Sequence, residues 1–493
     1  MSSASEDIVE AAEAQIDASA SPWAARMAII AVASALFMQS IDSTALSTAL
    51  PTLARAFATN PIHLKLCLTS YIMALAVFVP ASAWAADRYG ARRIFMGAMA
   101  VFLLGSVLCA LSHSLGELVG ARVLQGAGGA MMTPVGRIIV VGSHPREQLV
   151  KAMIWLTTPA MLGPIVGPPL SGFILSIADW PWIFYINVPV GLLGMAAVLR
   201  FVPRKRQPHP GRFDSLGFGL AATAISAMMI GAESIGVDLF PAWVQVAAWM
   251  LALVTGYAYL RHAKGKERPV LDLRLLKVRT LRVNQTGGAL VRMTLGAMPF
   301  LLPLLLQGGL GWSPLKAGLM TMSSAVGSLS ARLGAQSLLR KFGFRRVLIA
   351  TALTCGLAVA ATGFFRAATP IAVMAGALAI GGFLRSNHLT SVSTLAFADI
   401  PDAKVSQASS LTSVVQQMSQ ALGITVAGLM LHVSQRLTGP HGVAPLAPDN
   451  FILPFAAIGL CGMAAAATYW PLPANAGANL QGREGPRGRR GRR

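Results

Sequence analysis

Residues 66–93 read LCLTSYIMALAVFVPASAWAADRYGARR. The first twenty-one of them, Leu66 to Ala86, carry no charge. A helix of that length is about 31 Å long, the thickness of a bilayer's hydrocarbon core. The last seven hold Asp87, Arg88, Arg92 and Arg93 around Gly90, which permits a tight backbone turn. This unit is an apolar membrane helix that ends in a short basic loop, and it recurs in both directions along the chain.

Apolar stretches of similar length lie at 27–50, 94–112, 115–142, 150–176, 182–202, 214–235, 242–260, 283–307, 315–338, 346–365, 370–398, 405–433 and 453–471. Hydrophobic residues make up 54% of the chain and charged residues 12%, against roughly 25% charge in soluble domains. So little polar surface excludes a water-soluble globule. The expected fold is an all-α membrane protein of about fourteen transmembrane helices.

The formal net charge of +21 raises the question of a nucleic-acid partner, and the placement of the basic residues answers it. With the N-terminus in the cytoplasm, the cytoplasmic connections collect Arg88, Arg92 and Arg93, then Arg146 and Lys151, then Arg204, Lys205, Arg206 and Arg212. Eight more lie between Arg261 and Arg282, followed by Arg340, Lys341, Arg345, Arg346, Lys404 and an arginine-rich tail. The outer connections hold only Arg55, Lys65, Lys316, Arg366 and Arg436. This is the inside-positive asymmetry of an inner-membrane protein with both termini in the cytoplasm. No nucleic acid is expected.

The first residues are acidic (Glu6, Asp7, Glu10, Glu13, Asp17), so no cleaved signal is expected. Cys67, Cys109, Cys355 and Cys461 lie scattered in apolar text without CxxC spacing and read as small buried residues. No HExxH and no phosphate-binding Walker loop occurs. That argues against an enzyme or an ATP-driven pump, and neither a metal nor a cofactor is expected.

The polar stretches at 203–212 and 261–282 group the helices as six, two and six. The segments are a 1–25 tail, a 26–202 six-helix bundle, a 203–282 pair of linker helices, a 283–472 six-helix bundle and a 473–493 basic tail. Tyr89-Gly90-Ala91-Arg92-Arg93 after the second span is echoed by Phe342-Gly343-Phe344-Arg345-Arg346 after the tenth. Internal repeats of this kind mark secondary transporters, which bind substrate between their halves. The expected layout is two pseudo-symmetric six-helix bundles with two extra helices inserted between them.

Further stretches carry chemistry. Residues 42–51, DSTALSTALP, place Asp42 about eight residues, roughly 12 Å, from the outer end of the first span. A carboxylate at that depth is costly unless paired, protonated or wet. It serves proton or substrate exchange, or else a helix-packing hydrogen bond. Residues 122–130, RVLQGAGGA, put Arg122 at nearly the same depth in the fourth span. The two are either charge partners across a cavity, able to load and release a proton as they meet and part, or a permanent structural tie. Residues 163–172, GPIVGPPLSG, crowd helix breakers and small residues into the fifth span, which kinks a helix and lets neighbours approach closely. The stretch DWPWIFYINVPVG, 179–191, opens the sixth span with aromatics suited to the membrane interface, a structural role.

In the second half, Arg292 and Arg385 fall near the middle of their spans, where the central cavity is the sensible place for a charge. They bind an anionic or carbonyl-rich substrate, repel a proton-bearing carboxylate, or satisfy backbone carbonyls. Ser406, Ser409, Ser410, Ser413, Gln416, Gln417 and Gln420 form a stripe at helical spacing. That face lines the path, with Gln416 and Gln420 positioned for substrate, or packs on neighbours. His388 reads as structural, and Glu233 lies at the outer end of an inserted span, outside the twelve-helix core.

In order and spacing these motifs resemble the major facilitator superfamily, and within it the fourteen-span drug:proton antiporter family of bacteria, from about Met38 to Trp470. The resemblance implies proton coupling at Asp42, modulated by Arg122. It also implies a conformational lock built from Asp87, Arg88, Gly90, Arg92 and Arg93 that holds the halves together in one transport state. Ala83 and Ala85 replace the usual Gly and Leu of that loop, and Arg340 replaces the acidic residue in the second copy. The antiporter motif is carried by Gly163, Pro164, Gly167, Pro168 and Gly172, with Pro168, Pro169 and Ser171 departing from the pattern. The implied function is proton-coupled export of amphipathic drugs or toxic metabolites by alternating access. The alternative is a transporter, importing or exporting, dedicated to one metabolite. The expected partners are a small-molecule substrate, protons and the lipid bilayer, with a periplasmic adaptor protein as a further candidate for an otherwise monomeric chain.

Overall fold

The computed structural model describes residues 22–143, 148–203, 213–235, 241–267, 269–331, 335–401, 404–438 and 446–473. The acidic stretch Glu6 to Asp17, the basic residues Arg146, Arg204, Lys205, Arg206, Arg212 and Arg268, and the tail from Gln481 to Arg493 lie outside them. The described residues form helices and turns, with no strand among them.

The first stretch folds as α1 (Pro22–Ala56), α2 (Lys65–Tyr89), α3 (Ala91–Ala110), α4 (Leu115–Gly142), α5 (Leu149–Ile177) and α6 (Asn187–Phe201), the last preceded by the turn Trp182–Tyr185. Next come α7 (Ser215–Glu233) and α8 (Ala242–Lys264). Then follow α9 (Arg279–Pro303), which runs into a π-turn at Leu304–Gly309, and α10 (Pro314–Ser330). The short helix Ala335–Phe342 leads into α11 (Phe344–Thr362), α12 (Ile371–Ala396), α13 (Val405–Thr438) and α14 (Ile452–Tyr469). A helix covers every expected stretch, and among the described residues eleven are long and apolar enough to cross a membrane. The others are α4, α10 and α12. Arg122 and Gln125 dilute the apolar text of α4, Arg385, Asn387 and His388 that of α12, and α10 stops after 17 residues.

Two features of the sequence repeat take the same shape. Gly90 joins α2 to α3 at φ 90°, and Gly343 joins the short helix to α11 at φ 77°. Both positions need the left-handed region that glycine tolerates.

Apolar packing differs at the two ends of the molecule. One cluster draws only on residues from Ala28 to Val202. Another draws only on Val283 to Leu472. A third contains both, joining Leu46, Leu50, Leu64 and Leu68 to Leu301, Leu305, Ile424 and Leu431. It gathers at the C-terminal part of α1 and the start of α2, the end opposite the Asp87–Arg93 turn. Here Gln307 Nε2 donates to the Thr48 carbonyl at 2.8 Å. Here too α5 and α10 touch backbone to backbone: a Cβ on Gly318 would stand 2.3 Å from the Pro168 carbonyl oxygen, and one on Gly172 2.6 Å from that of Pro314. Small residues allow helices in a membrane this approach.

The inserted helices pack on each other, and α7 also packs on α2 and α13. The loop after α8 is pinned by Tyr259, whose hydroxyl donates to the Leu271 carbonyl at 2.7 Å and accepts from its amide at 2.8 Å. Beyond it, Asp272 accepts from Arg274 Nε at 2.8 Å, and that bond pushes the guanidinium pKa up.

Candidate transport site

Asp42 and Arg122 meet directly. Arg122 Nη1 donates to Asp42 Oδ2 at 2.7 Å, with both side chains at most 1% exposed. The pair is in contact, with no cavity between its members. Because α1 continues to Ala56, Asp42 also lies fourteen residues from the helix end, deeper in its helix than the expected eight.

The remaining lone pairs and protons are met by neighbours. Gln125 Nε2 and Asn187 Nδ2 each donate to Asp42 Oδ1 at 2.8 Å. Gln125 sits one turn after Arg122, accepts from its Nη1 at 2.6 Å, and donates to Ser106 Oγ at 2.7 Å. Arg122 Nε donates to the Cys67 carbonyl at 3.2 Å, and its guanidinium carbon lies 4.3 Å above the centre of the Tyr71 ring. Five helices, α1, α2, α3, α4 and α6, thus contribute to one network around this ion pair. A buried ion pair repays its desolvation only when hydrogen bonds satisfy what the partner leaves free, and this network does so.

The 163–172 stretch of α5 packs against the part of α1 that carries that carboxylate. A Cβ on Gly163 would stand 2.5 Å from Ser40 Cβ and 2.9 Å from the Ser40 carbonyl carbon. One on Gly167 would stand 2.2 Å from Thr44 Oγ1. Both glycines therefore seat α5 against the turns of α1 that flank Asp42, while Gly172 faces α10. Pro164 and Pro168 lie inside α5 together with Pro159 and Pro169.

At the basic turn, Arg92 donates to the Leu199 carbonyl of α6. Arg88 and Arg93 are exposed. Asp87 is half-buried and forms no ion pair among the described residues.

Arg292 and Arg385 occupy the middles of α9 and α12 as expected, but their bonds lead to different places. Arg292 is 1% exposed and folds back along its own helix, donating to Asn284 Oδ1 at 2.9 Å and the Asn284 carbonyl at 3.3 Å. No carboxylate pairs with it among the described residues. Arg385 donates to Ser324 Oγ of α10 at 3.1 Å. His388 has both ring nitrogens occupied, by Thr351 Oγ1 and the Tyr469 hydroxyl, each at 2.9 Å. Gln416 and Gln420 are half-buried on α13. The backbone of Gln420 presses on Gly296 of α9, one turn from Arg292.

Three corrections follow. The stretch 179–191 is more than an interfacial belt, because its Asn187 reaches Asp42. A polar amide amid aromatic and apolar neighbours was the available signal. Lys65, expected in an outer connection, is fully buried as the first residue of α2. Glu233, expected at the outer end of an inserted span outside the twelve-helix core, does end that helix but is 5% exposed and reaches Lys65 of α2 and Thr425 of α13. No group of His, Cys, Asp or Glu side chains suited to a metal occurs among the described residues.

A helical multi-pass membrane chain with an internal repeat that turns at positive-φ glycines and a buried carboxylate–guanidinium pair has the build of a membrane carrier. The Major Facilitator Superfamily model matches residues 32–424 and, in a second alignment, 286–492. The chain is 40% identical over 415 residues to "Putative multidrug resistance protein MdtD" of Escherichia coli (strain SE11), covering 83% of this chain and 87% of that one. The protein of the same name from Shigella boydii serotype 18 gives the same identity and coverage. The fold also matches the crystal structure of a D-xylose-proton symporter, with a TM-score of 0.66 at 16% identity, covering 93% of this chain and 99% of that one. An inward-facing bacterial homolog of the human lysosomal transporter Spinster gives 0.65 at 16%, covering 94% and 100%. The chain belongs to the Major Facilitator Superfamily.

Proposed function

We propose that this transporter is a proton-coupled exporter of amphipathic drugs or toxic metabolites, working by alternating access in the inner membrane with both termini in the cytoplasm. The observation that carries the proposal is the Asp42 network. A single carboxylate, buried at mid-helix and held by Arg122, Gln125 and Asn187, is a group placed there at high desolvation cost. The name of the Escherichia coli relatives favours export of drugs. In this reading all fourteen helices cross the membrane as six, two and six, over 26–202, 203–282 and 283–472. The inside-positive bias sets the orientation.

The packing supports a definite place in the cycle. The largest apolar cluster common to both halves gathers at the end opposite the basic turn, a smaller one joins Ala76 and Val77 of α2 to Val414 of α13 through α7, and each half also keeps its own cluster. In this reading the outer end is the closed one. The lock residues Asp87, Arg88, Gly90, Arg92 and Arg93 belong to the opposite state, which accounts for the unpaired Asp87 here. When the outer end opens, a proton from outside neutralises Asp42, weakens its hold on Arg122 and accompanies substrate release. On return, renewed contact with Arg122 expels the proton inward. Arg292, Arg385, Gln416 and Gln420 line the substrate path, and the antiporter motif keeps α5 seated on α1 through the cycle. A monomer suffices for these steps, and a periplasmic adaptor protein is the partner to seek by cross-linking at the outer end.

The test uses inside-out membrane vesicles carrying a proton gradient, scored by substrate-induced proton release for a panel of dyes and antibiotics. Asp42→Asn is expected to abolish proton release while retaining substrate exchange at equal pH. Proton-coupled transport unaltered in Asp42→Asn sinks the mechanism. Unchanged cellular accumulation of the whole panel after gene deletion, with and without a protonophore, sinks the multidrug reading.

One observation favours the second reading, a carrier dedicated to one metabolite. Arg292 is a buried cation with no carboxylate partner among the described residues, which suits a substrate that brings an anionic group. In the same vesicles, Arg292→Met is then expected to lose anionic substrates and keep cationic ones. Equal loss of both discards it.

A further inference from the structure

Besides Asp42–Arg122, one ion pair among the described residues has both side chains less than a tenth exposed. Lys65 Nζ lies 3.2 Å from Glu233 Oε2, with side-chain exposures of 0% and 7%. Lys65 is the first residue of α2 and Glu233 the last of α7. The other carboxylate oxygen, Glu233 Oε1, accepts from Thr425 of α13. The aliphatic part of Lys65 crosses the same helix at Gly428, where an added Cβ would stand 2.8 Å from Lys65 Cδ. One helix from the first half, one from the insertion and one from the second half therefore meet at a single pair of charges.

The pair is poorly satisfied. Neither Lys65 Nζ nor Glu233 Oε2 makes a hydrogen bond of acceptable geometry. Two desolvated charges supported only by the Thr425 bond are a weak stabilising device, since apolar residues of similar volume do as well or better, and switching is a better-attested use of such pairs. The location agrees with a switch. Leu64, Cys67 and Leu68 beside Lys65, and Ile424, Ala427 and Leu431 beside Thr425, belong to the apolar cluster shared by both halves.

We propose that Lys65 and Glu233, with Thr425, form a charge latch that holds the transport path shut at the end opposite the basic turn. Through Glu233, α7 takes part in the cycle as a working element. The proposal rests on the alternating-access reading above. Opening that end separates α2 from α13 and lets water reach both charges, so the pair breaks without leaving either one desolvated. Removing one partner instead leaves the other buried and uncompensated, which penalises the shut state alone. Removing both relieves that penalty.

The experiment is hydrogen–deuterium exchange of the full-length protein in lipid nanodiscs, comparing wild type, Lys65→Met, Glu233→Gln and the double variant. Each single variant is expected to raise exchange about tenfold in residues 61–68 and 424–431, with residues 344–352 at the basic end unchanged. The double variant is expected to return toward wild type. The charge-swapped protein, Lys65→Glu with Glu233→Lys, checks folding and is expected to exchange like wild type at the basic end. Three results overturn the latch: single variants that exchange like wild type, a double variant at least as open as either single, or exchange raised equally at both ends, the mark of a merely structural pair. Exchange reports opening whether or not protons are transported. A latch that fails while Asp42→Asn still uncouples transport therefore condemns the latch alone, and the converse condemns only the coupling mechanism.

Discussion

Asn187 Nδ2 stands 2.8 Å from Asp42 Oδ1, so the first residue of α6 holds a carboxylate on α1 across 145 positions of sequence. The same amide lies 3.3 Å from Ser106 Oγ of α3. Asn187 therefore fixes the direction in which the carboxylate faces Arg122.

From this follows the first prediction. A hydrogen bond to a charged group contributes about 1.5–3 kcal/mol, so Asn187→Ala is expected to slow proton-coupled transport about ten- to a hundredfold. Asn187→Asp, which sets a second carboxylate against the first, is expected to be worse. Initial rates in vesicles, normalised to protein in the membrane, measure both. Rates within twofold of wild type for Asn187→Ala would show that Gln125 and Arg122 suffice.

The glycines of α5 give a prediction of rank order. A methyl at Gly163 meets the Ser40 Cβ and backbone, which move only if α1 moves. A methyl at Gly167 meets chiefly the Thr44 hydroxyl, the end of a side chain able to rotate. Overpacking costs about 1–3 kcal/mol where neighbours cannot yield. Gly163→Ala is thus expected to lower thermal stability and transport more than Gly167→Ala. Adding Thr44→Ala should rescue only the latter. Thermal shift by fluorescence-detected size exclusion reads the order, and its reversal rejects this account of the α1–α5 contact.

How much of this was legible in the sequence depends on the range of the interaction. Helix positions follow from local composition, since a run such as Leu66 to Ala86 has one stable form in a bilayer. The pairing of Asp42 with Arg122 was readable as similar depth in neighbouring spans, though not as a contact. Lys65 was misplaced, and the burial of Glu233 missed, because each sits where a helix meets a connection, and sequence depth alone reads such residues as wet. Only tertiary packing, with Gly428 making room for the lysine stem, brings them inside. Asn187 was hidden for the opposite reason, as its aromatic neighbours supplied a sufficient local explanation. The fold of α9 escaped as well: Arg292 reaches back two turns to Asn284, and no spacing rule for substrate-binding arginines includes that bond.

Asp87 permits a test that separates stability from cycling. It is half-buried and unpaired in this conformation, so Asp87→Asn removes no ion pair from it. Thermal stability is expected to change by no more than about 0.5 kcal/mol, as for other substitutions away from a buried network. Turnover is expected to fall several-fold, because the state that uses the lock is reached less often. Loss of stability with turnover intact would assign Asp87 a static role.

The Arg122–Asp42 pair offers the strictest test because its two outcomes have opposite signs. Arg122→Leu leaves Asp42 buried among Gln125, Asn187 and Ser106 without a cation, and breaking a buried pair on one side typically costs about 3–5 kcal/mol. Asp42→Leu leaves Arg122 over the Tyr71 ring with only the Cys67 carbonyl and Gln125 to receive its protons. The double variant Asp42→Leu with Arg122→Leu removes both charges at once. It is expected to be more stable than either single variant and inactive in proton-coupled transport. Denaturation midpoints in detergent for the four proteins of the cycle give the coupling energy, which should exceed about 1 kcal/mol for residues in direct contact. Additive losses would mean that the two charges do not sense each other in the membrane-embedded protein. A double variant that still couples protons to substrate would move the coupling group elsewhere in the chain.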